Sequence, residues 1–326
     1  METLALGIDI GGTNTVFGFL TPEGHLLNRT VMPTLAREGG ERLMARICAQ
    51  AADMLGTAPG PVRGIGVGSA GQIDPVGGVC LFANDNLPGW TGMPIRDRLQ
   101  QATGLPVTVG NDANVAALAE QRFGAGRGVE NLVCITLGTG VGGGIINEGR
   151  VLTGHRGVAG EMGHIVVQAG GAPCPCGMQG CLEAYTSATA IVRRTREALP
   201  DYPTSVLNHV EPLTSKAIFA AAAPAPAGAA PDPLAERIVA ETAWYLALGL
   251  ASILNMTAPE VILIGGGVSL AGEPFLDRVR THLESWAMTR GRVRLALCRL
   301  GDDAGVIGAA AQVLPAATLV HGGTAR

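Results

Sequence analysis

The sequence predicts an α/β protein of two similar domains, and three observations carry that prediction. Short apolar runs suited to strands alternate with amphipathic helical segments along the chain, the succession that builds sheets covered by helices. Three of those strands break directly into glycine clusters, at Gly11-Gly12, at 138–144 and at Gly265-Gly-Gly267. At 326 residues the chain is long enough for two domains with large cores.

Residues 4–10 form the first apolar run. It breaks at Gly11-Gly12-Thr13, and apolar positions resume at Val16, Phe17 and Phe19. Thr21-Pro-Glu-Gly24 then reads as a hairpin turn. Leu43, Met44, Ile47, Ala51 and Leu55 recur at helical spacing and predict a helix over 40–55. Residues 62–67 give another strand, which ends in the Gly68-Ser-Ala-Gly71 loop. A strand over 105–109 leaves Asn111, Asp112 and Asn114 at its carboxyl end, ahead of a helix over 115–123.

Residues 132–137 open the second half with the same succession. A strand breaks at 138–144, Ile145-Ile146 follow, and Asn147-Glu-Gly149 turns the chain. Gly11 to Gly24 spans 13 positions and Gly138 to Gly149 spans 11, so the two units read as an internal duplication. A duplication predicts glycine loops facing each other across a cleft. A helix from residue 215 stops near Pro224, inside an Ala- and Pro-rich segment over 217–233 that reads as an exposed loop. A long amphipathic helix over 235–254, strands over 260–264 and 293–300 and a helix over 304–314 complete the chain.

Composition narrows the function classes. Net charge is −4, from 23 basic and 27 acidic residues, with no basic run, which argues against nucleic acid or an anionic membrane as partner. No apolar stretch approaches the roughly 20 residues of a spanning helix. No charged-then-apolar leader opens the sequence, so a reducing cytoplasm is the expected compartment. The 48 glycines are concentrated in a few loops, which points to close backbone approach to ligands.

Four soft-metal ligands, His164, Cys174, Cys176 and Cys181, fall within 18 residues. Three thiolates and an imidazole fill a tetrahedral Zn²⁺ site and leave no position for water, which marks a structural metal. Gly177 and Gly180 separate the ligands, and Glu161 and Glu183 flank them. The other cysteines, Cys48, Cys80, Cys134 and Cys298, are scattered singly among apolar neighbours, as core thiols are.

Neither of the first two glycine loops precedes a helix or carries Gly-Lys-Ser/Thr, so neither is a P-loop or a dinucleotide fingerprint. One such loop alone is as well explained by a plain hairpin. Two of them, with a third glycine cluster, favour anion receptors whose backbone N–H groups cradle the phosphates of a nucleotide. Asp9 is placed to hold a hydrated Mg²⁺, or to cap its own turn. Asp112 is a candidate general base for a substrate hydroxyl, or the N-cap of the following helix, work that Asn111 or Asn114 can also do.

The segments Asp9-Ile-Gly-Gly-Thr13, Asn111-Asp-Ala-Asn114, Leu137-Gly-Thr-Gly-Val-Gly-Gly-Gly144, Glu161-Met-Gly-His164, 174–183 and Gly265-Gly-Gly-Val268 occur in the order found in the ROK (repressor, open reading frame, kinase) sugar kinases. The chain resembles that family from about residue 4 to residue 314, most of all its bacterial glucokinases. The resemblance implies an actin-like, hexokinase-like (ribonuclease H-like) ATPase fold, with two domains around a cleft. One domain would comprise residues 1–115 with about 305–326, and the larger, zinc-bearing one residues 116–304.

It also implies transfer of the γ-phosphoryl of ATP to the 6-hydroxyl of a hexose, most closely glucose, with Mg²⁺ as cofactor. Carried onto this chain, Asp112 is the base and Asn111 binds neighbouring sugar hydroxyls. Glu161, His164 and Glu183 bind hydroxyls nearer the anomeric end, with Gly71 and Asn86 as further contacts. Gly11, Gly12, Thr13, Gly138, Thr139 and Gly140 contact phosphates, and Gly265 and Gly266 the adenosine. His164 then serves both zinc and sugar, one ring nitrogen to each. The family resemblance favours a homodimer or homotetramer. Three alternatives stay open: a kinase for N-acetylmannosamine, N-acetylglucosamine, fructose or allose; polyphosphate as donor; or a non-catalytic sugar sensor. A start at the first strand leaves no room for the helix-turn-helix of the family's repressors, and Asp9 and Asp112 favour catalysis.

Overall fold

A computed structural model describes residues 3–224, 230–286, 288 and 293–315. In chain order, the first unit carries β1 (Leu4–Ile10), β2 (Asn14–Leu20), β3 (Leu26–Pro33), α1 (Gly40–Gly56), β4 (Val62–Ser69), β5 (Gln72–Asp74), β6 (Val79–Phe82), α2 (Ile95–Thr103), β7 (Val107–Asn111) and α3 (Asp112–Phe123). There follow β8 (Leu132–Leu137), β9 (Val141–Asn147), β10 (Arg150–Val151), α4 (Glu183–Thr186), α5 (Ala188–Ala198), α6 (Ser215–Ala221), α7 (Pro233–Thr257), β11 (Val261–Gly265), α8 (Glu273–Trp286), β12 (Arg294–Leu297) and α9 (Ala304–Ala311).

The chain divides into two compact units. One holds the described residues of Met1–Glu130, Gly144–Ala159 and Asp302–Arg326, the other Asn131–Gly143 and Gly160–Gly301. The boundary expected after residue 115 falls inside α3. The division comes at Glu130 instead, because α3 stays with the first unit by packing on α9.

The two main sheets share one topology. The first runs β3-β2-β1-β4-β7 and the second β10-β9-β8-β11-β12. In the first, β1 pairs antiparallel with β2 and parallel with β4, and β4 parallel with β7. In the second, β11 is parallel to both β8 and β12. This equivalence is what an internal duplication requires.

In the first unit α1 and α2 bury Leu43, Met44, Ile47, Ile95 and Leu99 in one core with Leu6, Ile8, Ile65 and Val67 of the sheet. The opposite face takes α9 at backbone contact. A Cβ on Gly7 would lie 2.2 Å from the Val306 carbonyl, and one on Gly66 1.7 Å from that of Ala309. Glycine in two adjacent strands and a helix of small residues are therefore one packing solution. Gly308 repeats it on the other side of α9, where a Cβ would meet the Val115 carbonyl of α3 at 1.8 Å.

In the second unit α7 is the central helix and packs against α4, α5, α6 and α8. Asp232 caps it, accepting from Ala235 N–H, with Pro233 in the first turn. α7 corrects one expectation. It is 25 residues long, with mean hydropathy 1.4 over its most apolar window, so by length and composition it is long and apolar enough to cross a membrane. That window is 61% buried within the protein, as the core helix of a globular unit is. α6 ends at Ala221, short of Pro224, and residues 225–229 of the Ala- and Pro-rich segment lie outside the described residues.

Candidate active site

The chemistry-bearing residues of the first unit gather at the carboxyl ends of its parallel strands, where open α/β sheets bind ligands. Asp9 is the penultimate residue of β1 and pairs with Gly68 of β4. Gly68 in turn lies against Asp112, since a Cβ there would stand 3.6 Å from Asp9 Oδ1 and 3.7 Å from Asp112 Cα. The glycine thus lets two carboxylate residues flank one strand end. Burial pushes the Asp9 carboxyl up to about 7, and the negative charge of Asp112 adds to the shift. Asp9 is also crowded by α9, because a Cβ on Gly305 would lie 2.2 Å from its Oδ2.

The sign of the Asp9 shift gives a prediction. Its carboxyl is raised from 3.8 to about 7 in the folded protein, so the folded state holds the extra proton across that window. Stability is therefore expected to fall as pH rises from about 4 to about 7. Asp9→Asn should flatten that slope and melt higher than wild type at pH 8, read by thermal melts at pH 5 and pH 8 without divalent ions. Parallel slopes for the two proteins would contradict it.

Asp112 begins α3, and the helix settles which residue caps it. Asn111 is the N-cap, its Oδ1 accepting from the N–H groups of Ala113 and Asn114 at 3.0 and 3.1 Å. Asn111 Nδ2 donates to the Gly71 carbonyl at 3.0 Å and to Asp112 Oδ1 at 2.9 Å. Ala113 N–H also donates to Asp112 Oδ1, at 2.8 Å. Asn111 thus spends its amide on the cap, on Gly71 and on Asp112, and a direct sugar contact would have to replace one of these bonds. Gly71 has φ +98°, and a Cβ there would strike the Phe82 carbonyl at 2.6 Å, so the backbone that offers its carbonyl to Asn111 requires glycine.

The first glycine loop is a closed hairpin: Gly11 N–H donates to the Asn14 carbonyl at 3.0 Å, and the Thr34 hydroxyl to the Gly11 carbonyl at 2.7 Å. Gly12 and Thr13 are exposed at its tip. The atom nearest a Cβ on Gly12 would be Asn86 Cβ at 4.0 Å, so Asn86 belongs beside this loop.

In the second unit, Gly138 N–H donates to the Gly140 carbonyl at 2.9 Å, while α5 holds the loop by its carbonyls. Ala188 N–H donates to Gly138 O at 2.8 Å and the Thr189 hydroxyl to Thr139 O at 2.9 Å. Glu183 joins this loop to the cysteine segment. Its Oε2 accepts from Val141 N–H at 2.8 Å and its Oε1 lies 3.7 Å from Cys174 Sγ. A Cβ on Gly140 would collide with Glu183 Oε2 at 2.5 Å.

The ligand atoms of His164, Cys174, Cys176 and Cys181 lie within 4.8 Å of one another. Cys176 Sγ and Cys181 Sγ are 3.7 Å apart, and Cys174 Sγ is 3.6 Å from His164 Nδ1. A tetrahedral ion with Zn–S of about 2.3 Å and Zn–N of about 2.0 Å has edges of about 3.8 and about 3.5 Å, so this donor set fits Zn²⁺. Burial pushes the Cys174 and Cys181 thiols above their ordinary values, so ionising both calls for a cation. Burial opposes ionisation of Cys176 too, but there the Met178 amide and the neighbouring thiols outweigh it and lower its pKa. Nδ1 is the His164 nitrogen turned to the cluster. Glu161 precedes the same tight turn, its carbonyl accepting from His164 N–H at 3.1 Å.

Sequence reasoning missed what braces this segment. The Tyr185 hydroxyl accepts from Ala172 N–H at 2.7 Å, and its ring stacks on Tyr245 of α7 at 4.0 Å and 22°. The Tyr245 hydroxyl donates to Gln168 Oε1 at 2.5 Å. Gly180, with φ +81°, approaches the Gln168 carbonyl so closely that a Cβ would lie 1.7 Å from it. No spacing signals this brace, because Tyr185 and Tyr245 lie in different helices. Tyr185→Phe keeps the stack but strands the Ala172 N–H, and should lower unfolding stability by about 1–3 kcal/mol in a denaturant titration. An unchanged midpoint would remove the brace's energetic role.

Gly265 and Gly266 close β11. Gly266, at φ +81°, would bring a Cβ to 2.5 Å from the Leu137 carbonyl, so the triglycine turn abuts the strand end that leads into Gly138.

The sequence model of the ROK family matches residues 5–315. The glucokinase of Halalkalibacterium halodurans is 40% identical over 313 residues, 93% of this chain and 92% of that protein. A ROK hexokinase structure from Thermus thermophilus is similar at TM-score 0.81 and 37% identity, covering 95% of this chain and 97% of that one. A ROK family glucokinase from Streptomyces griseus, solved in complex with glucose and AMPPNP, gives TM-score 0.77 at 37% identity, covering 94% and 98%.

Proposed function

This chain belongs to the ROK family and has its actin-like, hexokinase-like fold, and from that premise we propose that it transfers the γ-phosphoryl of ATP to the 6-hydroxyl of a hexose, glucose first. The observation that carries the reading is the placement of Asp9 and Asp112 on either side of Gly68, at the carboxyl ends of β1 and β7.

Asp112 takes the proton of the 6-hydroxyl as the oxygen attacks the γ-phosphorus, and the bond to the bridging oxygen of ADP breaks on the opposite side. Ala113 N–H and Asn111 Nδ2 fix the carboxylate plane for that transfer. Asp9 would hold Mg²⁺, an oxygen-seeking ion suited to a buried carboxylate beside a second one. Bound there, Mg²⁺ neutralises charge on the phosphates. Gly11, Gly12, Thr13, Gly138, Thr139 and Gly140 offer phosphate contacts, and Gly265 and Gly266 meet the adenosine.

Glu161, His164 and Glu183 bind sugar hydroxyls, His164 through Nε2, since Nδ1 faces Cys174. His164, Cys174, Cys176 and Cys181 would hold Zn²⁺, which would fix that ring and the segment carrying both glutamates. Asn86 and, through Asn111, Gly71 complete the set. A cytoplasmic homodimer or homotetramer accompanies this reading, supported by the family resemblance.

The test is an ADP-release assay with ATP across hexoses and N-acetylhexosamines. Glucose should give the highest kcat/KM. Turnover confined to an amino sugar would replace glucose as the substrate, and no phosphorylation of any sugar would favour a sensor.

A further inference from the structure

Cys134 and Cys298 stand singly in the sequence, 164 residues apart, yet their Sγ atoms meet at 3.5 Å. Cys134 lies in β8 and Cys298 directly follows β12, so the two strands that flank β11 each send a thiol across it. Gly265, the last residue of β11, makes the crossing possible, since a Cβ there would stand 2.9 Å from Cys298 Sγ. The Cys298 N–H donates to the Ile264 carbonyl at 2.9 Å and holds its backbone beside that strand end. Cys134 is 1% exposed and Cys298 is half-buried, so a reagent reaches the pair from the Cys298 side.

Neighbouring strands lie about 4.8 Å apart, so backbones two strands apart are separated by about 9–10 Å. A disulfide spans Cα atoms roughly 4.4–6.8 Å apart. These thiols therefore touch but cannot oxidise to one another unless the sheet deforms. A bridging atom faces no such limit, because it adds two bonds to the span. With bonds of about 2.3 Å, the length between zinc and thiolate, sulfurs 3.5 Å apart subtend about 100° at that atom. This angle is far from that of a linear dithiolate and suits a tetrahedral or a pyramidal centre. Tetrahedral zinc takes three or four protein ligands. Among the described residues the group of three or more such donors is the His164 cluster, so this pair supplies two sulfurs only. A pyramidal centre needs just those two, with an oxygen in the third position.

We propose that Cys134 and Cys298 form a chelating dithiol site for trivalent arsenic. Arsenous acid, As(OH)₃, exchanges two As–O bonds for two As–S bonds. Each departing hydroxide leaves as water with one thiol proton, the third hydroxyl stays on arsenic, and no oxidation state changes. The thiolate is the attacking form at each step. The second As–S bond closes within the protein, which strengthens binding by about 10²–10⁴-fold over a single-thiol adduct. The site is separate from the zinc cluster and does not depend on the kinase reading.

The test titrates zinc-loaded protein with arsenite in the absence of other thiols, removes the excess by gel filtration and measures arsenic and zinc per chain. Wild type and Cys48→Ser should each retain one more arsenic per chain than Cys298→Ser and Cys134→Ala. In the latter two the arsenite needed for half-occupancy should rise by about 100-fold or more. Cys298→Ser alters a half-buried position by one atom, so it keeps the test open should Cys134→Ala fail to fold. Gly265→Ala keeps both thiols but displaces Cys298 Sγ, and should weaken retention as well. Arsenic taken up at the zinc cluster would instead appear as released zinc and would persist in Cys298→Ser. Equal retention by wild type and Cys298→Ser, or none by wild type, would overturn the site. So would a Cys134–Cys298 disulfide formed in air without loss of Tm, because it would show the strands close enough for direct oxidation.

Discussion

Asp112→Asn is expected to lower kcat by about 10²–10⁴-fold, the range for removing a general base, while hexose binding survives. The amide keeps the shape of the carboxylate and an oxygen to accept the Ala113 N–H, but it is not basic enough to take the hydroxyl proton. The structure sharpens this expectation, because the N-cap of α3 is Asn111. Had Asp112 been the cap, its loss would have frayed the helix and mixed a folding defect with a chemical one. The ADP-release assay should therefore show the loss in kcat, and hexose titration by calorimetry should give an affinity close to wild type. Normal turnover would end the base assignment.

Cys176→Ser is expected to release zinc, lower Tm by several degrees and raise the hexose KM by about 10-fold or more, the scale at which disturbed metal surroundings are felt. Cys176 is the exposed ligand, whereas Cys174 and Cys181 are buried, so the change opens no hole in the core. Its consequences travel through the metal. Without the ion, His164 loses the partner that fixes its ring, and the segment that leads into Glu183 loses the cross-link among Cys174, Cys176 and Cys181. Elemental analysis, a thermal melt and a KM-against-kcat comparison read the three effects, with kcat the least affected. A zinc-free variant with unchanged hexose affinity would leave the cluster a fold-holding role only.

Much of the frame was legible because it rests on local rules. β1 and β8 coincide with the apolar runs at 4–10 and 132–137, since a buried strand needs only a short apolar stretch bounded by breakers. The gathering of His164, Cys174, Cys176 and Cys181 was legible for a different reason, as soft donors so closely spaced have few other uses. Other elements left little signal. α2 buries only Ile95 and Leu99 in nine residues, and β5 and β6 have three and four residues each, too few to show a period. The domain boundary was misplaced because what keeps α3 in the first unit is contact with α9, nearly two hundred residues away in sequence.

The sequence by itself determined the chemistry available: two aspartates at strand ends, glycine loops fit for phosphates, and one histidine with three cysteines for a soft metal. These depend on residue type and spacing, which are written in the chain. The tertiary structure decided which atoms serve which task. It made Asn111 the cap of α3, turned His164 Nδ1 toward the thiols, and set Glu183 against both Cys174 and Val141. It also set Asp9 beside Asp112 in a buried corner where its carboxyl rises to about 7. Such choices turn on burial, register and long-range contact, and those exist only once the strands have paired and the helices have packed.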